Sequence, residues 1–287
     1  MMMAEVSVNS TPREARALPS DLKQVGVVAK YDVMKYLRSR RLLGMLIIEA
    51  IVLIAITVLL ATSSNPKTAD GVVGQYAGFA TILIVIGATL FGGDAIVSEY
   101  QGRTGYLLFP NPIKKVSIII GKFISAVAAM VLILVIYYAI ALVAGLVMGN
   151  GFSTLGLASL GLAILYGISA LAVAFLISSF MKGTAGSLIL TFALFFFVLD
   201  IISSIMGQLG GIKPWFLLNF AGSSLSYVTT DPFPVDSVET LDIGGGQSFT
   251  FYSFYPDIGL SIAVMVAYAV VALVLAYLIF RRREMSA

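Results

Sequence analysis

The dominant pattern along the chain is a series of long apolar runs, each about the length that crosses a bilayer. A membrane-spanning helix needs roughly 20 mostly apolar residues. The runs predict six such helices, at about 42–61, 72–93, 123–148, 154–181, 185–206 and 258–280. The stretch from 123 to 181 is too long for one crossing, and it is divided at Gly149-Asn150-Gly151, a sequence that favours a turn.

The apolar runs also determine the expected fold class. Hydrocarbon contains no water to satisfy the backbone, so a spanning segment must form a helix or join a closed barrel. The runs lack the alternation over about ten residues that barrel strands show. We therefore predict an all-α, polytopic integral membrane protein, with a disordered tail over residues 1–20 and one transmembrane domain over residues 21–287. The tail lacks the apolar segment of a secretory signal, so we expect the first span to remain in the protein.

The segment before the first span, residues 21–41, has the pattern of an amphipathic helix. Its apolar positions at helical spacing are Leu22, Val25, Ala29, Val33, Tyr36 and Leu37. Basic side chains lie off this face, although Val27, Val28 and Met34 are found among them. Such a helix would lie in the membrane interface, with its lysines toward anionic headgroups. A plain basic flank to the first span is the alternative, and it would explain the charges but not the apolar face.

A second segment outside the spans, residues 207–257, precedes the last apolar run. It begins with the apolar stretch Lys213-Pro214-Trp215-Phe216-Leu217-Leu218, which contains the only tryptophan of the chain. Tryptophan favours the headgroup level of a membrane. The stretch therefore predicts a short interfacial or re-entrant helix, followed by a loop rich in proline and glycine that leads to the last span. A disordered loop throughout is the alternative.

The basic residues are distributed unequally between the two sides of the predicted spans. Sixteen of the 18 lysines and arginines fall on one side, and only Lys67 and Lys213 fall on the other. Basic residues near span ends favour the cytoplasm. We therefore expect a multi-pass protein of the cell membrane with both termini in the cytoplasm and residues 207–257 outside the cell. An odd number of spans would separate the two basic termini, so the even number agrees.

The composition excludes several kinds of chemistry. The chain has no cysteine and no histidine, which removes thiol nucleophiles, disulfides and the commonest general base and metal ligand. No glycine-rich phosphate-binding loop precedes Gly121-Lys122, so we do not expect this chain to hydrolyse nucleotide. Gly92-Gly93-Asp94 is similar to part of an intramembrane aspartyl protease motif, but no second aspartate lies at matching depth. We expect no catalytic residue, no cofactor or metal site and no nucleic-acid partner.

Two acids lie inside predicted spans, where an ionised side chain costs about 2.5–3.5 kcal/mol or more at the bilayer centre. Glu49 lies eight residues after Arg41, roughly 12 Å along a helix. It could handle substrate or protons, or pair with a neighbouring span. Asp200 lies near the outer end of the fifth span and could simply reach the interface. Glu49 and Asp200 are therefore candidate pathway or intramembrane polar residues.

The connection between the second and third spans, residues 94–122, is longer than a simple turn and is patterned. It contains Glu99, then Thr104-Gly105-Tyr106-Leu107-Leu108-Phe109, then Pro112-Ile113-Lys114-Lys115. Thr104 is a suitable N-cap, and Pro110 and Pro112 would end a short helix. Full burial of a leucine or phenylalanine is worth about 1.5–3 kcal/mol, which a helix this short cannot achieve alone. We expect its apolar residues to contact the bilayer face, other loops or a partner protein.

These features resemble the permease subunits of ABC transporters, specifically the type 2 exporter family. Such chains have six spans, an N-terminal amphipathic connecting helix and a re-entrant extracellular segment before the last span. The resemblance in the loop falls on Glu99, Thr104, Leu107, Leu108, Pro112, Ile113 and Lys122. Arg103 replaces the usual glycine before the threonine, with Gly105 after it. Lys115 stands where arginine is usual, and a lysine cannot make the bidentate contacts of an arginine.

The resemblance implies that residues 98–115 form a coupling helix that docks on a separate nucleotide-binding ATPase subunit. The implied coupling residues are Glu99, Arg103, Thr104, Gly105, Leu107, Leu108, Phe109, Pro112, Lys114 and Lys115. It further implies two copies of this chain with two ATPase subunits, in contact with membrane lipid, and ATP and Mg bound by the partner. The implied function is the permease subunit of an ATP-driven exporter, a transport subunit rather than an enzyme, which forms the translocation pathway.

Two other functions stay open on the sequence alone. A polytopic scaffold or sensor could recruit cytoplasmic partners without transport. An intramembrane enzyme is disfavoured, because histidine, cysteine and paired acids are lacking. The substrate is undetermined: spans rich in leucine, isoleucine, valine, alanine and phenylalanine suit a lipid or an amphipathic molecule, but such residues also simply face the bilayer.

Overall fold

The computed structural model describes residues 20–63, 67–101, 114–242 and 248–282. Within these ranges, six helices are long and apolar enough to cross a membrane: α2 (Arg40–Thr62), α3 (Ala69–Gly92), α5 (Lys115–Met148), α6 (Thr154–Phe180), α7 (Thr184–Leu209) and α9 (Ile258–Arg282). Three other helices are α1 (Asp21–Leu37), α4 (Val97–Gln101) and α8 (Leu218–Tyr227). The predicted polytopic all-α fold is confirmed. The tail predicted to be disordered lies, apart from Ser20, outside the described residues.

The start of three spans is set by hydroxyl side chains that cap the helix. The caps are Ser39 for α2, Thr68 for α3 and Ser153 for α6, whose side-chain oxygens accept backbone N–H groups at 3.2, 3.1 and 2.8 Å. Each cap satisfies an amide that has no partner within its own helix. The predicted break between the third and fourth spans is present as well. There α5 ends at Met148, and Asn150 adopts the left-handed backbone conformation, with a φ of 53°.

Helix α3 forms the centre of the bundle, where it packs against α5 and α6. Of the residues in the apolar window of its span, 78% are buried, against 11% for α7. Tyr137 of α5 donates a hydrogen bond to the carbonyl of Tyr76 in α3 at 2.8 Å, and the Tyr76 hydroxyl lies 2.7 Å from Thr57 Oγ1 in α2. An unpaired hydroxyl in hydrocarbon is costly, so these bonds fix how α2, α3 and α5 lie against one another.

Helix α1 packs along the beginning of α5. A methyl group on Gly121 of α5 would lie 2.7 Å from Val28 Cβ, so the two backbones approach closely. The predicted helix is therefore present, but its orientation differs from the expected one. Val28, which the pattern grouped with the basic residues, faces the protein, whereas Leu22 and Leu37 are 85% and 55% exposed. The surface that covers α1 is a neighbouring helix with a small residue at the contact, and helical spacing alone does not reveal it.

The segment between α7 and α9 contains the predicted re-entrant helix, but further along the chain than expected. Residues 211–217 are not helical, and α8 begins at Leu218. Helix α8 lies against α3, α6 and α9, with Leu218, Ala221 and Leu225 completely buried. Trp215, by contrast, is 49% exposed. The helix thus forms where small residues fit between the spans, and the bulky apolar stretch before it stays at the surface.

A β-hairpin follows α8, in place of the irregular loop that the sequence predicted. Strands β1 (Ser237–Asp242) and β2 (Ser248–Ser253) pair in antiparallel fashion. Asp236, directly before β1, accepts hydrogen bonds from Lys213 Nζ and from the backbone N–H of Tyr255, each at 2.8 Å. Burial by itself would raise the pKa of Asp236, but the bonds from Lys213 and Tyr255 and the charge of Lys213 outweigh it and hold the pKa below its usual value. The hairpin is therefore anchored to the stretch that leads into α8.

Replacement of Gly222 by alanine tests the close contact between α8 and α6. An alanine methyl would lie 2.6 Å from the ring of Tyr166, which is buried. We expect Gly222→Ala to lower the free energy of unfolding by about 1–3 kcal/mol, because overpacking of a filled site forces strain on its neighbours. Thermal unfolding of the purified protein in detergent measures the loss. Gly161→Ala is the matched control, since no atom lies within 4 Å of its added methyl. Equal unfolding midpoints for the two variants would contradict the contact.

Candidate functional site

The connection predicted to couple to a partner lies at one end of the bundle. This end also contains α1, α4 and the last turn of α9, and we call it the charged end. Seven candidate coupling residues lie outside the described residues: Arg103, Thr104, Gly105, Leu107, Leu108, Phe109 and Pro112. The two stretches that flank them are described. They are the leading root, Val97–Gln101, and the trailing root, residues 114–122, which contains the first two turns of α5. Residues 115–122, predicted as loop, are thus helical.

Lys122 of the trailing root is a buried cation held by two carboxylates. Its Nζ lies 2.7 Å from Glu99 Oε1 in the leading root and 3.3 Å from Asp32 Oδ2 in α1. The side chains of Lys122, Glu99 and Asp32 are only 9%, 12% and 18% exposed. A buried charge without a counter-ion costs several kcal/mol. One ammonium group therefore joins both roots to α1.

A second set of contacts fixes the start of the trailing root. The backbone N–H of Lys114 donates to Gln24 Oε1 at 3.2 Å, and Lys114 Nζ lies 2.7 Å from Asp21 Oδ2. Lys115 Nζ donates to the backbone carbonyl of Arg281 at 3.3 Å. The Lys114–Asp21 pair is solvent-exposed, and such a pair is worth about 0–1 kcal/mol. Lys114 and Lys115 thus hold the first turn of α5 against α1 on one side and the end of α9 on the other.

The leading root is fixed to α6 and α7. Ser178 Oγ of α6 accepts hydrogen bonds from the backbone N–H groups of Ile96 and Val97, both at 3.0 Å. Gln101 Oε1 accepts the N–H of Thr184, the first residue of α7, at 2.9 Å. These bonds satisfy amides at the starts of α4 and α7 that have no partner within their own helices. A displacement of α4 would therefore also pull on α6 and α7.

An ion pair between α2 and the end of α3 completes the charged end. Arg41 Nη1 and Nη2 lie 2.8 and 2.7 Å from the two carboxylate oxygens of Asp94. Two parallel bonds of this kind fix geometry as well as add energy. The Tyr36 hydroxyl of α1 donates to the carbonyl of Phe91 at 3.0 Å. Burial, and then the carboxylates of Asp32 and Asp94, raise the pKa of Tyr36 above its ordinary value, so the hydroxyl stays a hydrogen-bond donor at neutral pH.

The two groups of ion pairs enclose a cavity of about 340 Å³ at the charged end. Its charged lining residues are Asp32, Lys35, Arg40, Arg41, Asp94 and Lys122. No group of three or more His, Cys, Asp or Glu side chains that could hold a metal ion occurs in the described ranges. The acids of this cavity, Asp32 and Asp94, are each paired with a cation, so they hold the elements of the charged end against one another.

The two acids predicted within spans have different surroundings. Glu49 of α2 is 1% exposed, and neither of its carboxylate oxygens has a hydrogen-bond partner among the described residues. Asp200 of α7 is exposed on the isolated chain and accepts a hydrogen bond from Asn219 Nδ2 of α8 at 2.6 Å. The pairing of Glu49 with another span is thus not found in the described part of the chain, whereas the re-entrant helix reaches Asp200.

The residues of the charged end that sequence reasoning missed include Asp21, Gln24, Asp32 and Asp94. One signal was available for two of them. Asp21 and Asp32 are the only acids in residues 21–41, a segment with six basic residues. Isolated acids in a basic helix are candidates for ion pairs, but the partner of each depends on how α1 packs on α5.

A bundle of six spans, with a connecting helix before the first span and a re-entrant helix before the last, has the architecture of a transporter permease subunit. Residues 27–285 match the model of the family described as ABC-2 family transporter protein, and the chain belongs to that family. It is 28% identical over 284 residues to the probable ABC transporter permease protein NosY of Stutzerimonas stutzeri, across 91% of this chain and 99% of that relative. The predicted membership of this permease family is therefore confirmed.

Replacement of Lys122 by methionine tests whether the buried cation holds the charged end together. The change removes the ammonium that Glu99 and Asp32 share. We expect a loss of about 3–5 kcal/mol in the free energy of unfolding, because removal of one partner of a buried pair leaves charge that solvent cannot stabilise. Denaturant unfolding of the purified protein measures it. Lys114→Met, which breaks the exposed pair with Asp21, is the control and should cost about 1 kcal/mol or less. A small loss in both variants would rule out the proposed importance of the buried pairs.

Proposed function

We propose that this chain is the permease subunit of an ATP-driven exporter, which forms the translocation pathway and couples to a separate ATPase subunit through residues 98–115. The observation that carries the proposal is the Lys122–Glu99–Asp32 cluster, because it binds both roots of that connection to the bundle. The sequence has no phosphate-binding loop, so ATP and Mg would bind to the partner. The name of the relative NosY, a probable ABC transporter permease protein, supports a transport role. The outward direction follows from the resemblance to type 2 exporters.

Force applied to the connection would reach the spans by two routes. The trailing root is continuous with α5, a helix of 34 residues. The leading root is bonded to Ser178 of α6 and Thr184 of α7. Packed helices move as rigid elements between discrete arrangements rather than by continuous deformation. A push from an ATPase would therefore reach α5 through the trailing root and α6 and α7 through the leading root, and a rearrangement of these helices is the kind of movement that alternates access to a pathway.

The proposal places the charged end in the cytoplasm. Exposed basic side chains of α1, among them Lys23, Lys30 and Lys35, lie at this end together with Arg281 and Arg282. Basic residues beside span ends are retained on the cytoplasmic side. The hairpin end, with α8 and the two strands, would then face outward. A soluble ATPase has access only to the cytoplasmic end, so the orientation and the coupling proposal support each other.

We also propose that two copies of the chain associate through α7. Only 11% of the residues in the apolar window of α7 are buried. Its exposed surface includes Phe196, Phe197 and Ile201, together with Asp200. Asp200 faces the polar groups of α8, where it accepts a hydrogen bond from Asn219, so the contact between copies would be formed by apolar side chains such as Phe197 and Ile201. Two permeases with two ATPase subunits would then form the complete transporter.

Replacement of Leu108 by glutamate tests the coupling proposal. We expect the wild-type permease, extracted in mild detergent, to bring with it an ATPase that contains a phosphate-binding loop, in roughly equal amount. Loss of one buried leucine contact is worth about 1.5–3 kcal/mol, so Leu108→Glu should weaken the association by roughly 10- to 100-fold. The thermal unfolding of the permease itself should not change. Val235→Glu, at a 79% exposed apolar position in the hairpin end, is the control and should retain the ATPase.

Two results would contradict this proposal. One is purification of the wild-type chain without any ATPase, even after cross-linking at residues 98–115. The other is equal retention of the ATPase by Leu108→Glu and the wild-type chain. If Leu108→Glu instead abolishes the folded permease, the leucine is part of the core of the bundle rather than of a contact with a partner.

Disulfide cross-linking tests the association through α7. The chain has no cysteine, so a single introduced cysteine reports its position without background. Phe197→Cys in α7 should form covalent dimers in membranes under mild oxidation, because symmetry brings equivalent positions of two copies together. Val270→Cys, which is similarly exposed on α9, should remain monomeric. Dimers at Val270→Cys with none along α7 would place the contact on α9 instead.

A further inference from the structure

Three cavities lie along one side of α8 and share lining residues. The largest, of about 510 Å³, is lined in part by Asp70, Gln75 and Ser226. The second, of about 310 Å³, lies between α3, α7 and α8, and the third, of about 270 Å³, lies beside β2. Ser226 lines the first and second cavities, Ser223 lines the second and third, and Tyr227 lines all three. The three cavities are thus neighbours along α8, and we call them together the α8 cleft.

The α8 cleft extends from the hairpin end into the level of the spans. Asp200 and Thr81 both line its second cavity. Asp200 lies nine residues before the end of α7, roughly 13 Å along the helix axis. Thr81 lies twelve residues after the start of α3, roughly 18 Å along that helix. Polar side chains at such depth face either a protein partner or water. The cleft is thus a polar route from the hairpin end into the bundle.

All of the charge in the described lining of the α8 cleft is negative. Asp70, Asp200 and Asp231 line it, and no lysine or arginine does. Asn219 donates to Asp200 and has its own Oδ1 without a hydrogen-bond partner among the described residues. Hydroxyl groups, including that of Tyr227, make up much of the remaining polar lining. The cleft therefore offers negative charge and hydrogen-bond acceptors.

We propose that the α8 cleft is a water-filled vestibule of the transport pathway that favours hydrophilic cations, such as protonated amines, over anions. Carboxylates in a narrow cleft with low-dielectric walls concentrate the field and raise the local concentration of cations. Apolar side chains, among them Ile82, Val85 and Phe195, also line the second cavity, but the carboxylates, amides and hydroxyls match a solute that is both cationic and a hydrogen-bond donor better than they match an apolar lipid. This inference rests on the proposed function for the role of the cleft as a pathway, and it adds the class of substrate.

Single-cysteine chemistry tests the vestibule, because the chain contains no cysteine of its own. Ser226→Cys is a small change, since within the described part of the chain the serine side chain bonds to nothing but the carbonyl of Ser223 one turn earlier. The assembled transporter in sealed vesicles is treated with a trimethylammonium methanethiosulfonate or with a sulfonate methanethiosulfonate, both impermeant. Each labelling rate is divided by the rate with 2-mercaptoethanol, so that the intrinsic reactivities of the reagents cancel.

We expect Ser226→Cys to react with both reagents from the hairpin side and with the cationic one about tenfold faster, since clefts with charge of one sign raise the encounter rate with counter-ions by 10-fold or more. The ratio of the cationic to the anionic labelling rate should fall toward one when Asp70→Asn and Asp200→Asn are added. It should also fall at about 1 M salt, which shortens the screening length to roughly 3 Å. Val266→Cys, on the exposed face of α9, should not react, because hydrocarbon excludes both reagents.

Two outcomes would overturn the vestibule: no reaction at Ser226→Cys from either side of the membrane, or equal normalised rates with the two reagents. Lys30→Cys, at an exposed position of α1, separates this inference from the proposed function. If Lys30→Cys is labelled from the outside and Ser226→Cys from the inside, the proposed orientation is wrong, while the charge preference at Ser226→Cys still decides whether the cleft selects cations.

Discussion

The buried ammonium of Lys122 is the group on which the arrangement of the charged end depends. Its desolvation would cost several kcal/mol without counter-ions, and two different elements supply them, Glu99 from α4 and Asp32 from α1. Neither root of the connection between α4 and α5 can move far without separating one of these pairs. Buried ion pairs add little net stability compared with apolar packing. The effect of this cluster is therefore to fix α1, α4 and α5 relative to one another, as the proposed coupling to an ATPase would require.

The spans were predictable because bilayer thickness sets their length. The resemblance of the loop to that of type 2 exporter permeases also singled out Glu99 and Lys122. The contacts between elements were not predictable in the same way. Val28 was grouped with the basic residues because helical spacing does not show that Gly121 lets α5 approach α1. Likewise, the apolar run around Trp215 and the preference of tryptophan for the headgroup level suggested a helix there, whereas the fit of small residues between spans decides where α8 forms. The sequence marks Asp32 as a candidate for an ion pair, but its pairing with Lys122 depends on tertiary packing.

The hydrophobic effect does not drive helices together when they are already in lipid, so hydrogen bonds help to hold the helices of the bundle together. Ser159 Oγ of α6 donates to the carbonyl of Leu225 in α8 at 2.5 Å, so the Tyr138 hydroxyl of α5, 2.8 Å away, must donate to Ser159. One chain of polar groups thereby connects α5, α6 and the re-entrant helix. Glu49 is the contrast: it is equally buried, but its carboxylate has no hydrogen-bond partner in the described ranges. Structural pairing with those residues therefore does not account for Glu49.

The two ends of the protein are connected by its most buried span. At the charged end, the turn after α3 carries Asp94, which holds Arg41 of α2. At the hairpin end, Asp70 and Gln75 of the same helix line the α8 cleft. The helix has 24 residues, so it is roughly 36 Å long, and its packing against α5, α6 and α8 leaves it little freedom to bend. A shift of the roots would therefore change the cleft through α3, and α7 would follow through its bond to Gln101 and through Ser187, whose hydroxyl donates to the carbonyl of Gly93 at the end of α3.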